Sequence, residues 1–320
     1  MKWINDVVFA ILAAHVWGSL MLFVWLQAVK RLENKGYTRL LFYLLRAVIV
    51  AYLLPLGLGA VLIISEIIEV DARLFQTTPV MTMICQLLFI LWILGFFANF
   101  ESLQEKWDMT RHCFSDALPA SRERQLRFQE ICRQTKMRSG RVILCEKAGI
   151  RCGGITVGVV HPKIVLPEGK TDEFVERVTM IHELVHYTRK DIWFLTAAKV
   201  VEAIHWFNPW TRGLAAQMSQ WNEYACDWKV CNKYLRNIKS YLEVLYRVSM
   251  QGQEDKTDMY SSIGTQPMKL IGRMEKMINM KNAMKKPKIF GVLAAVAVSF
   301  TSAGSVLAST GILAGGYQAL

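Results

Sequence analysis

No C-x-x-C pair occurs in the 320 residues, and the seven cysteines (Cys85, Cys113, Cys132, Cys145, Cys152, Cys226, Cys231) follow no framework spacing. A cysteine zinc ribbon and a disulfide scaffold are therefore not expected. Internal repeats and low-complexity linkers are missing too, and the polar stretch Gln251–Asp258 is the best candidate for a flexible loop. Acidic residues are the scarcer sign: 26 Asp and Glu face 38 Lys and Arg, a net charge of +12. Such an excess could meet nucleic acid, an acidic partner or a membrane face. No nucleic-acid recognition motif accompanies it, so direct nucleic-acid binding is not expected. Apolar residues, in contrast, are abundant. At 53% hydrophobic with ten Trp, and with charge missing from several long stretches, the chain reads as a membrane protein.

Trp3–Gln27 holds one charge, Asp6, and is long enough to cross a bilayer. A cleaved signal peptide is the alternative, but the stretch is too long and its basic residues follow it. Lys30, Arg31, Lys35 and Arg39 then face Glu33 alone. A second span is expected over residues 40–64, with Arg46 near its start snorkelling back to the interface and Pro55 and Gly57 kinking it. The next loop carries Glu66, Glu69 and Asp71 against Arg73, and no charge follows until Glu101, which gives a third span over residues 78–99. Behind Lys285, Lys286 and Lys288, residues 289–320 are uncharged and suit a fourth span. Val306-Leu-Ala-Ser309 resembles a signal-peptidase site, a second reading of that segment. The positive-inside rule then puts both termini outside and residues 101–287 in the cytoplasm. That segment holds 30 Lys and Arg against 21 Asp and Glu, which suits an anionic leaflet. Gly57, Gly59 and Gly95 leave room for close helix association, including between copies. The expected fold is a mainly α, multi-pass cell-membrane protein of about four transmembrane helices with a cytoplasmic α+β domain.

His182, Glu183 and His186 spell H-E-x-x-H. On a helix the two histidines share a face and can aim at one metal ion, while Glu183 can reach a water bound there. Two buried core histidines are the plain alternative. Independent signals place the motif on a helix. Thr171 is a candidate N-cap, Asp172, Glu173 and Glu176 suit the positive end, and Arg189 and Lys190 suit the other. Before it, residues 141–145 and 155–166 are rich in β-branched residues and predict a small sheet. An edge strand there could hold substrate backbone extended; a plain packing sheet is the other reading.

A catalytic zinc site needs a third protein ligand. Asn208-Pro209 reads as the start of a helix carrying Glu223 and Asp227, four apart on one face. Glu223 is the expected third ligand, and Asp227 the group that accepts the free N–H of a ligating histidine. A solvated acidic face, or an ion pair with Arg212 or Arg236, is the alternative. Residues 192–210 hold Lys199, Glu202 and His205, so an interfacial or core helix is expected there, not a full crossing. His205 is a candidate transition-state donor or substitute ligand, against the plainer role of a hydrogen-bonded histidine. The roles amount to zinc-dependent peptide hydrolysis, with Glu183 as the general base that later protonates the leaving amine.

His182-Glu-Leu-Val-His-Tyr-Thr-Arg-Lys-Asp191, Trp206-Phe-Asn-Pro209, Asn222-Glu-Tyr-Ala-Cys-Asp227 and Gly158-Val-Val-His-Pro162-Lys-Ile-Val-Leu-Pro167 together resemble the BlaR/MecR-type membrane metallopeptidases. The resemblance implies a gluzincin-like protease domain, with His182, His186 and Glu223 as zinc ligands and Glu183 as base. It also implies regulated proteolysis: an outside signal starts cleavage inside and relieves a transcriptional repressor, inducing antibiotic-resistance genes. The best-known members carry an external penicillin-binding sensor with a Ser-x-x-Lys nucleophile, and no Ser-x-x-Lys occurs here. A sensor on a separate partner protein, a different signal, or a chain cut short are the readings this leaves. A membrane quality-control or peptide-processing protease, and a proteolytically silent transducer, are the competing functions.

Overall fold

The structure is a computed structural model that describes residues 2–54, 79–150, 153–169, 171–253 and 267–282. The second half of the expected second span with Pro55, Gly57 and Gly59, the acidic loop, Cys152, residues 254–258 and the fourth span lie outside the described residues. The other six cysteines are all unpaired.

The first apolar stretch forms helix α1, Lys2–Leu32, and Lys30 and Arg31 sit at its negative end. After a turn through Gly36, α2 (Thr38–Leu53) runs back antiparallel. Trp25 donates to the Leu41 carbonyl at 2.9 Å, and the Ser19 and Tyr52 hydroxyls meet at 3.1 Å. A third helix, α3, spans Pro79–Cys113 and continues without a break well beyond the expected end of its span. Stretches Ala10–Leu32 and Thr82–Cys113 are both long and apolar enough to cross a bilayer. Only 28% and 6% of their most apolar windows are buried, whereas the core helix of a soluble protein would be mostly covered. Gly95, expected to leave room between copies, is filled from within the chain. A Cβ there would lie 2.1 Å from the Trp206 indole.

Four strands follow: β1 (Leu118–Pro119), β2 (Ile143–Lys147), β3 (Ile155–Val157) and β4 (Lys163–Pro167), with helix α4 (Arg122–Thr135) between the first two. Their order is β1-β2-β4-β3, with β2 and β4 parallel and the outer pairs antiparallel. The single stretch expected over residues 155–166 is thus two strands. Gly158, at φ 87, turns the chain so tightly that a Cβ would sit 2.5 Å from the His161 carbonyl. Among the described residues β3 pairs with β4 alone and forms one edge of the sheet.

The motif lies on α5, Glu173–Thr188. Its N-cap is Asp172, not Thr171: the Asp172 carboxylate accepts the Val175 N–H at 3.0 Å, three residues on, as capping requires. Buried Arg124 locks α4 onto this helix, donating to Glu176 at 2.9 Å and to the Pro167 carbonyl at 3.0 Å. Helices α6 (Asp191–Ile204), α7 (Leu214–Lys229), α8 (Ile238–Gln253) and α9 (Pro267–Asn282) complete the described chain, with a π-turn over Val230–Leu235 closing α7.

Asn208-Pro209 does not start α7, which begins after Gly213 at φ 88. The Asn208 side-chain oxygen accepts the Trp210 N–H at 2.9 Å in its own turn, and its amide reaches Ser19 at 3.1 Å. Helix α6 is amphipathic, with Ala198 and Val201 fully buried and Trp193 exposed. Two apolar cores result. One joins the sheet, α5 and α8 through Leu166, Ile181, Leu184 and Tyr241. The other joins α1 and α2 to α6 and α7 through Trp25, Leu45, Ile49, Val201, Met218 and Trp221. Arg46 departs from expectation. It turns inward from α2, is only 11% exposed, and pairs with Asp191, because that buried carboxylate offers a charge partner.

Candidate metal centre

Four residues of α5 make one turn, so His182 and His186 project side by side. Their Nε2 atoms are 3.0 Å apart. From α7, Glu223 places one carboxylate oxygen 3.5 Å from His182 Nε2 and the other 3.5 Å from His186 Nε2. A tetrahedral zinc ion with bonds of about 2.0–2.1 Å holds its donors roughly 3.3–3.4 Å apart, so the three side chains fit one.

The outward ring nitrogens explain why both Nε2 atoms can act as donors. His186 Nδ1 donates to Asp191 at 2.7 Å. His182 Nδ1 lies 3.0 Å from the Tyr241 hydroxyl, which in turn donates to Asp227 at 2.6 Å. With each proton held on Nδ1, each Nε2 keeps its lone pair for a metal. Asp227 therefore serves His182 through Tyr241 and not by the direct bond expected; its own oxygen is 3.7 Å from the ring. The direct carboxylate is Asp191 on the other histidine. It follows His186 by five residues, and only the left-handed Lys190 (φ 59) folds it back.

Asp227 is fully buried and takes two hydrogen bonds from Arg273 of α9, at 2.8 and 2.6 Å. Arg273 also lies 3.1 Å from Glu223. The cation beside this pair is neither Arg212 nor Arg236, the partners of the alternative reading, but one from later in the chain. Burial pushes the Glu223 carboxyl up, but Arg273 and the two imidazoles outweigh it and hold it well below the usual range. Burial likewise opposes charge on His182, yet the Cys226 sulfur and Glu223 raise it to about 10. Cys226 is a fourth group beside the histidines, 3.5 Å from His182 Nδ1. Donor atoms of His182, His186 and Cys226 all lie within 4.8 Å of one another, while the two Glu223 oxygens face the two Nε2 atoms at 3.5 Å.

Glu183 points towards β3. Its carboxylate accepts the Thr156 hydroxyl at 2.7 Å. Gly154, just before this strand, permits the close approach, since a Cβ there would lie 2.8 Å from Thr179 and 3.3 Å from Glu183. The edge strand expected to hold substrate backbone therefore runs beside the candidate base. On the His186 flank a cleft of about 430 Å³ opens between Gly158–Val160, Arg141 and Trp193, large enough for a peptide side chain. His205 is not brought here. It caps the far end of α6, about 20 Å along the helix from Asp191, and its Nε2 lies 3.2 Å from the Tyr52 carbonyl. It is a buried, hydrogen-bonded histidine.

Residues 20–278 match the family described as BlaR1 peptidase M56. Among curated proteins the chain is similar to "Regulatory protein BlaR1" of Bacillus licheniformis, at 27% identity over 168 residues. That match covers 48% of this chain and 27% of the relative.

Proposed function

The chain belongs to the BlaR1 peptidase M56 family, and on that premise we propose that it is a membrane zinc endopeptidase acting in regulated proteolysis. The observation that carries the reading is the convergence of His182, His186 and Glu223, whose facing donor atoms lie 3.0–3.5 Å apart. When bound, zinc supplies Lewis acidity, acidifying water and polarising a carbonyl oxygen.

The chain's own residues do the rest. Tyr241 and Asp191 keep both ligating rings in one tautomer and one orientation. Thr156 fixes the Glu183 carboxylate, leaving it one oxygen with which to take a proton from the attacking water. The same oxygen returns that proton to the leaving amine. The free edge of β3 can pair with an extended substrate segment and present a peptide bond beside Glu183. In this reading, supported by the basic first loop and acidic second loop, the peptidase centre faces the cytoplasm of a multi-pass protein with external termini, and the substrate is a cytoplasmic repressor whose loss follows an external signal. The name of the Bacillus relative, a regulatory protein, supports the signalling role.

Zinc content and cleavage by purified full-length protein, with and without chelator, test the chemistry. A proteome comparison of wild-type and Glu183→Gln cells tests the biology. One stabilised repressor supports signalling, while many stabilised membrane proteins would replace it with quality control.

A further inference from the structure

His186 is held by Asp191, and Asp191 is held in turn from helix α2. The Arg46 guanidinium, on α2, donates one arm to Asp191 Oδ1 and another to the Arg189 carbonyl at 2.9 Å. Asp191 Oδ2 remains for His186 Nδ1, at 2.7 Å. Phe42 and Phe194 flank the guanidinium, with ring centres 4.2 and 4.1 Å away. Asp191 is 3% exposed, so no solvent shell fixes its carboxylate; Arg46 and Arg189 do. A buried ion pair of this kind adds little stability over a well-packed apolar pair, so stability alone is a weak reason for it. Its forked geometry, however, directs one carboxylate oxygen to each neighbour.

We infer that Arg46 is a positioning residue for the metal ligand His186, acting through Asp191, so that the seating of α2 sets how tightly the centre holds its ion. The inference rests on the peptidase reading and deepens it by giving the α1–α2 hairpin a route to the site. α1, against which α2 packs, is long enough to cross a bilayer. A shift of α2 by the length of one hydrogen bond releases Asp191, and with it the orientation of His186.

The test uses the full-length chain in detergent micelles. Zinc affinity is read by competition with a chromophoric chelator, and ligand geometry by the visible spectrum of the cobalt-substituted protein. Arg46→Gln is expected to weaken zinc by about tenfold, the lower range for partners of ligating histidines, and to alter the cobalt spectrum. Arg46→Lys, which keeps the charge without the fork, is expected to fold and to weaken zinc by roughly threefold. In an Asp191→Asn background, Arg46→Gln should change affinity less than about twofold, because its route is already cut. Ile131→Ala, a buried packing change on α4 and off this route, should leave affinity and spectrum unchanged. Wild-type affinity in both Arg46 variants would overturn the inference, as would an undiminished Arg46→Gln effect in the Asp191→Asn background. Equal weakening by Ile131→Ala would overturn it in favour of general loosening of the packing. A wild-type chain that takes up no zinc would remove the peptidase reading itself, an outcome distinct from these.

Discussion

Replacing Arg273 by methionine leaves the fully buried Asp227 without its cation. Two hydrogen bonds, at 2.8 and 2.6 Å, are lost, and both partners are at most 9% exposed, so solvent cannot substitute. Breaking one side of such a buried pair costs about 3–5 kcal/mol, a large part of the roughly 5–15 kcal/mol that holds a typical domain folded. Removing both charges is different. Arg273→Met with Asp227→Leu strands no fully buried charge: the Tyr241 hydroxyl is left without its acceptor, about 1–3 kcal/mol, and the 3.1 Å contact to the partly exposed Glu223 is lost as it is in the single variant. The double variant should therefore be more stable than Arg273→Met alone, by about 2 kcal/mol. Zinc affinity should not recover with it, because His182 loses the ordered Tyr241 behind its ring, and a 10–100-fold loss is expected to persist. Denaturant-dependent proteolysis in micelles reads the first quantity and chelator competition the second. A single variant costing under about 1 kcal/mol, or a double variant no more stable than the single, would refute the reasoning.

Glu183→Gln should keep stoichiometric zinc and lose cleavage by about 10²–10⁴-fold, whereas Glu223→Ala should lose the metal; elemental analysis beside a peptide-cleavage assay separates them. Thr156→Val frees the Glu183 carboxylate from its 2.7 Å bond and should lower kcat about tenfold with KM nearly unchanged, read from steady-state kinetics. Gly154→Ala forces a Cβ to within 2.8 Å of Thr179 and should depress kcat while zinc content is retained. His182, raised to about 10 in the metal-free chain, must give up its proton to bind zinc. Apparent affinity should therefore climb about tenfold per pH unit for each proton released, and proton release should be visible by calorimetry in buffers of different ionisation enthalpy. The same raised value contributes stability to the metal-free fold that is full below about 6.5 and is lost as pH rises through about 10.

The parts of the site legible in the sequence are those set by helix period. His182 with His186, and Glu223 with Asp227, are each four residues apart, and the β-branched run before α5 did become strands beside Glu183. Asp191 stood five residues after His186, a spacing that faces away on a continued helix. Its role depends on the left-handed break at Lys190, which no residue type there announces. Tyr241, Arg273 and Arg46 were illegible for another reason. Arg46 meets Arg189 across 143 positions and Arg273 meets Asp227 across 46, and no local pattern encodes such pairs. Thr171 and Asn208 misled because each looked like a cap. At the first, the neighbouring Asp172 makes the bond to the Val175 amide; at the second, the side chain serves its own turn and α1.

The sharing of one apolar core between α1, α2, α6 and α7 bears on how this protein can be handled. A piece cut at residue 101 would keep every proposed metal donor yet forfeit Arg46 and bare the faces of Val201, Met218 and Trp221; one ending before residue 267 would forfeit Arg273 instead. Neither excision yields a faithful miniature. Inhibitor screens or crystallisation trials on such trimmed versions would sample an aggregating, slack-jawed relative of the intact protein, and work on the centre belongs in lipid with both helical ends attached.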